Sequence, residues 1–264
     1  MKRQRNSPWV WPLRILAVGI LAGLWTLGNE IGGISTLVLP TIPTVVEAFI
    51  ESLTEIETYQ AAATTLGEIF AAFALATTFG LVIGFWAART RLRIRIFEPL
   101  FVWGYLVPLI LFYPVFILSF GIGVTSKILF GAVSAFFPIA YNAVRAFDTV
   151  DPTVLRVARA YGASPVQTDF LVKLPAALPL IRSGVRIGAA MSMITVILAE
   201  MLAASSGLGY ELSRASQTFA TPTAYATILS LLVLVALMQG LVQLTLTPRR
   251  DKNKTLRDNS ALTL

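Results

Sequence analysis

The sequence predicts an all-α membrane protein with six transmembrane helices, and three observations carry that reading. Charged residues make up 13% of the 264-residue chain, about half the share of a typical soluble domain. Hydrophobic residues make up 56% and gather into six apolar runs that approach or reach the ~20 residues needed to cross a hydrocarbon core of ~30 Å. All but two of the 21 Lys and Arg residues flank those runs on one side.

Taken in order, the first run is Pro12–Gly28, behind Lys2, Arg3 and Arg5. Arg14 lies near its inner end, where a long side chain can snorkel to the interface, and Trp9 and Trp11 suit an aromatic belt there. No small-residue cleavage site accompanies it, so it reads as a span rather than a leader. Residues 29–65 form an outer segment with no basic residue, carrying Glu30, Glu47, Glu51, Glu55 and Glu57. Pro40 and Pro43 break it early. Thr44–Tyr59 then places Val45, Val46, Phe49, Ile50 and Leu53 at a helical period, which predicts an amphipathic helix lying on the outer surface and leading into span two. The remaining spans are Ile69–Ala88, Pro99–Phe120, Ser126–Arg145, Ile181–Ala204 and Ala224–Leu246. Short outer connections are expected at Gly121–Thr125 and Ser205–Thr223. Residues 1–11 and 247–264 read as polar tails.

The basic residues set the orientation. Arg89, Arg91, Arg93 and Arg95 follow span two. Arg145, Arg156, Arg159, Lys173, Arg182 and Arg186 surround the connection between spans four and five, and Arg249, Arg250, Lys252, Lys254 and Arg257 follow span six. Only Lys127 and Arg214 fall opposite. By the positive-inside rule both termini are cytoplasmic. The same distribution accounts for the formal charge of +7: cations beside spans are topology determinants, and no nucleic-acid partner is expected.

Several function classes are excluded by composition. Cysteine and histidine are absent, which removes disulfides, thiol chemistry and the commonest zinc or iron ligands. A membrane enzyme would need a catalytic constellation, and Ser126-Lys127 at a span end has no other support. A self-contained secondary transporter would favour acidic or histidine relays inside the membrane, yet the span interiors are nearly free of charge. No Gly-x4-Gly-Lys-Ser/Thr phosphate loop occurs, so ATP hydrolysis belongs to no part of this chain. No cofactor or metal is expected.

The connection at residues 146–180 is the most informative stretch, because it is longer than a structureless connection usually is. Asp151-Pro152 reads as an N-cap followed by proline at the first helical position, and Gly162 as the residue ending that helix. Ser164-Pro165-Val166-Gln167 restarts a helix with a capping-box pattern, and Leu174-Pro175 is expected to stop it. Two short capped helices at a membrane surface make a knob that needs a socket. Val154, Tyr161, Val166 and Phe170 supply apolar contacts.

The spacing Ala158-x3-Gly162-x9-Val172-x-Leu174-Pro175 resembles the cytoplasmic "EAA loop" of permease subunits in bacterial ATP-binding-cassette importers. The flanking Leu118–Pro152 and Leu174–Leu202 look like the branch serving nitrate, sulfonate, taurine and bicarbonate, with riboflavin- and thiamine-precursor importers as an alternative. The resemblance spans roughly Leu66–Leu246. It implies a MetI-like importer permease fold in the bacterial inner membrane and no catalysis by this chain. It also implies three partners besides the bilayer: a cytoplasmic ATPase dimer, a second permease copy forming a homodimer, and an extracytoplasmic solute-binding protein. ATPase coupling would then fall to Arg156, Ala158, Arg159, Tyr161, Gly162, Ala163, Val166, Phe170, Leu174 and Pro175. The chain departs from the family at one point: Arg156-Val157-Ala158 stands where Glu-Ala-Ala is usual, reversing a charge.

Other motifs keep two readings. Gly80-x3-Gly84 and Gly184-x3-Gly188 permit close helix crossing, either at a subunit seam or within one subunit. Pro108 and Pro114, with Tyr105 and Tyr113, kink span three and either line the route or only shape the helix. Glu200 is costly in a span unless paired or wet, which fits a gate or a headgroup-level residue. Arg186 either attracts an anion or snorkels. Met191, Ser192 and Thr195 lie on span five, which lines the pathway in the resembled family; Ser and Thr also bond back to their own helix.

Overall fold

The computed structural model describes residues 10–246 apart from Ile31, Gly32 and Ile34. The basic residues before Val10, Trp9, the side chain of Trp11 and the tail after Leu246 lie outside the described residues. Among the described residues there is no strand.

The described residues form eleven α-helices, in order α1 Val10–Glu30, α2 Ile42–Ser52, α3 Ile56–Ala87, α4 Arg91–Leu106, α5 Tyr113–Phe120 and α6 Val124–Asp148. Then come α7 Pro152–Ala160, α8 Pro165–Gln167, α9 Leu174–Leu202, α10 Leu208–Gln217 and α11 Thr221–Leu246. A 3₁₀ turn at Leu109–Phe112 precedes α5, and a π turn at Thr168–Lys173 joins α8 to α9. Among the described residues five helical runs are long and apolar enough to cross a membrane, and α4 with α5 makes a sixth if that bent pair is one span.

Three expectations are corrected. The amphipathic segment ends at Ser52, and a three-residue break separates it from α3, which starts well before the predicted span because Ala61–Ala63 and Thr64 extend its helical run. Span three is not a kinked helix but two pieces at 81°. Pro108 lacks the N–H an α turn would need and biases Val107 to extended backbone, and Val107 indeed sits at ψ 130°. Pro114 falls in the first turn of α5, where proline is tolerated. Leu174-Pro175 does not stop a helix: Pro165–Leu202 runs on as one long apolar element. Proline cannot donate to residue 171 and would crowd its carbonyl, and the π turn just before it widens the coil where that bond is missing.

The described chain forms two compact units. In the first, residues 10–67 and 197–234, the Trp25 indole N–H donates to the Pro40 carbonyl at 2.8 Å. Its ring meets Tyr225 edge-on at 5.1 Å between centroids, and Thr221 donates to the Leu37 carbonyl. The second unit, residues 68–196 and 235–246, is built around α6. Both glycine motifs face that helix: a Cβ on Gly84 would sit 2.6 Å from the Ala143 methyl, and one on Gly188 2.5 Å from Ile139. The same holds for Gly80 against Ile139 and Gly184 against Asn142. Four missing side chains therefore let α3 and α9 close on α6 within one subunit.

Candidate functional site

The loop after α6 folds as its caps demand. Asp151 accepts the Thr153 N–H at 2.7 Å, the cap that starts α7. This bond, the Thr153 hydroxyl and the nearby Arg156 hold the Asp151 carboxyl below its usual range. Gly162 ends the helix at φ +79°, a left-handed position that favours glycine. Ser164 and Gln167 complete a reciprocal capping box, at 2.9 and 3.3 Å, and Asp169 pairs with Lys173 at 3.1 Å.

What this scaffold presents is unusual for a polar loop. Tyr161 is 89% exposed, and Val154, Val157, Val166, Phe170 and Leu171 are exposed around it. Arg156, Arg159, Gly162 and Pro175 are exposed as well, while Ala158, Ala163 and Leu174 are half-buried. Arg156 donates to the Thr153 hydroxyl of its own helix at 3.2 Å. A groove of about 320 Å³ runs between Arg159, Ala163, Pro165, Thr168, Asp169 and Lys173. Exposed aliphatic and aromatic side chains therefore stand together here beside the cations Arg156 and Arg159.

The pathway candidates fall in different settings. Tyr105 is 39% exposed and Met191 is half-buried. Tyr113 is 1% exposed, its ring 4.9 Å from that of Phe130. Ser192 is fully buried and Thr195 nearly so; both donate back to α9, to the carbonyls of Ala189 and Met191 at 2.9 and 2.7 Å. Arg186 is exposed.

Glu200 sits in the tightest polar network of the first unit, 1% exposed. The Thr65 hydroxyl donates to it, with its two oxygens 2.8 and 3.0 Å away. The Gly209 N–H donates to Oε2 at 2.9 Å, and the Leu208 N–H to Thr65 Oγ1 at 2.9 Å. A side chain on Gly207 or Gly209 would strike this carboxylate. Glu200 thus serves as a remote cap on the N-terminus of α10, where an anion is favoured. In the second unit, Lys127 and Glu68 pair at 2.5 Å with side chains only 1% and 3% exposed.

Sequence reasoning missed three of these features. Lys127 reads in the sequence as a cation at the outer end of span four with no partner in view, Glu68 lies one residue before span two with nothing to single it out, and α10 falls within the expected outer connection Ser205–Thr223. A signal for α10 existed in the period of Leu208, Leu212 and Ala215.

Residues 80–250 match the family described as binding-protein-dependent transport system inner membrane component. The chain is 32% identical to the taurine transport system permease protein TauC of Escherichia coli strain K12, over 92% of this chain and 94% of that one. This chain belongs to that family. The permease is also 30% identical to a protein named as a putative aliphatic sulfonates transport permease, SsuC of Bacillus subtilis strain 168, covering 92% and 88% of the two chains. To the riboflavin transport system permease protein RibX of Chloroflexus aurantiacus it is 30% identical, over 88% and 89%. Its fold matches a chain of the MetNI methionine ABC transporter at a TM-score of 0.62, with 21% identity over 71% of this permease and 94% of that chain. The helical importer-permease fold expected from the loop motif is therefore the fold the permease has.

Proposed function

We propose that this permease imports small sulfonates, taurine or an aliphatic sulfonate, in a complex with a separate ATPase dimer, a second copy of itself and an extracytoplasmic binding protein. The observation that carries the reading is near end-to-end kinship with the taurine and aliphatic-sulfonate permeases, at 32% and 30% identity. The exposed loop from Pro152 to Lys173 offers the ATPase a docking surface on Arg156, Arg159, Tyr161, Val166 and Phe170. The lopsided basic residues support termini in the cytoplasm and the loop on the same side.

In this reading ATP-driven movement of the ATPases acts on α7 and α8, and the continuous run into α9 carries that movement to the membrane as a rigid-body switch. Tyr105 and Met191, which keep exposed surface, face the solute. Tyr113, Ser192 and Thr195 back that lining from the packed interior of the same unit, and Glu200 acts separately, by holding α10 in place in the first unit.

The test is uptake into proteoliposomes holding the complete complex, with taurine, ethanesulfonate, nitrate and riboflavin as probes. ATP-dependent, binding-protein-dependent uptake of a sulfonate is expected. Uptake of riboflavin with no uptake of either sulfonate overturns the solute assignment.

A further inference from the structure

Helix α10 has two faces. Leu208, Leu212 and Ala215 are buried. Tyr210, Ser213, Arg214 and Gln217, spaced i, i+3, i+4 and i+7, share the opposite face. With Thr218 they line a cavity of about 200 Å³ whose other wall is the end of α9 and the two residues after it, Glu200–Ala204. All of these residues belong to one compact unit.

We propose that this cavity is a sulfonate-binding subsite at the outer end of the permease, with Arg214 as its counter-ion. The inference rests on the sulfonate reading above and on its orientation. A sulfonate is a permanently ionised group with three acceptor oxygens. The guanidinium presents a rigid fork of donors to such a group, and the Tyr210 and Ser213 hydroxyls and the Gln217 amide add donors on the same face. Arg214 is available for this role. Its ion pair with Glu211, at 3.6 Å along its own helix and with side chains 62% and 41% exposed, is of the kind that contributes about 0–1 kcal/mol.

The one carboxylate in the wall does not oppose the assignment. Glu200 is committed to Thr65 and to the Gly209 N–H, and through them it fixes the start of α10 and so the placing of Tyr210 and Arg214.

The experiment measures equilibrium binding of radiolabelled taurine to the purified permease–ATPase complex at low salt, without binding protein, alongside taurine and ethanesulfonate uptake by the complete complex. The parent is expected to bind taurine saturably. Arg214→Gln should weaken binding by roughly tenfold, the size of a lost charge-assisted hydrogen bond. Arg214→Lys should lose less, since it keeps the charge without the fork, and Ser213→Ala less again. Arg214 is exposed, so both variants should match the parent in thermal unfolding. Taurine binding that Arg214→Gln leaves unchanged, or absence of saturable binding in a parent that still imports taurine or ethanesulfonate, overturns the subsite and leaves the sulfonate reading standing. A complete complex that imports neither overturns both.

Discussion

Lys127 and Glu68 hold the sharpest conflict between charge and burial, and they were the least legible residues in the sequence. A lysine beside Ser126 at the edge of an apolar run looks like an outer-connection cation, and nothing near it in sequence announces a carboxylate on α3. Glu200 was partly legible: a carboxylate inside an apolar run must find donors, but which donors depended on a fold that brings Thr65 and Gly209 to it. Removing one member of a buried pair leaves an uncompensated charge and costs about 3–5 kcal/mol, whereas replacing both with apolar groups is often neutral. Lys127→Met is therefore expected to lower the thermal stability of the purified complex substantially, and Lys127→Met with Glu68→Leu to recover most of the loss. A single variant as stable as the parent would remove the pair from the structural account.

At the scale of elements, the caps were read directly because they are local: Asp151-Pro152, Gly162 and the Ser164–Gln167 box each involve residues within one turn. The continuation through Pro175 was not, since whether a proline stops a helix or only widens it depends on the apolar run that follows. Two outcomes follow for α7. The Asp151 carboxyl is held below the usual carboxylate range by its bonds to Thr153, so its capping contribution is complete above that range and is lost as pH falls through the lower, folded pKa. Amide protection of Val154 and Leu155 should accordingly be flat at neutral pH and decline only in acid, and Asp151→Ala should abolish the decline; a transition near neutrality would point to another group. Gly162 has open space where a Cβ would go, but its φ is +79°. Gly162→Asn, which tolerates that conformation, should keep at least half the uptake at equal abundance. Gly162→Glu, strained and charged on the docking face, should lose most of it. Equal uptake by parent and Gly162→Glu would detach the loop from coupling.

For the whole molecule, the number of apolar runs and the sidedness of the cations were legible because composition alone sets them. Pro108 marks where α4 and α5 part but not the 81° angle between them, and which helix the two glycine motifs clamp was not legible, since packing partners far away in sequence settle it. The departure at Arg156 belongs to this scale as well, because it concerns assembly. Arg156 is exposed, bonds the Thr153 hydroxyl and lies near the Asp151 carboxylate, and with Arg159 it makes the rim of this surface cationic. A socket that fits it carries an acidic residue or a helix C-terminus there. Arg156→Ala should then weaken ATPase co-purification only mildly, because exposed pairs contribute about 0–1 kcal/mol. Arg156→Glu should weaken it more, by setting like charges against each other. That defect should shrink as salt rises towards about 1 M, where the screening length falls to about 3 Å. If Arg156→Glu assembles like the parent at low salt, Arg156 faces solvent in the complex and the charge reversal carries no pairing information.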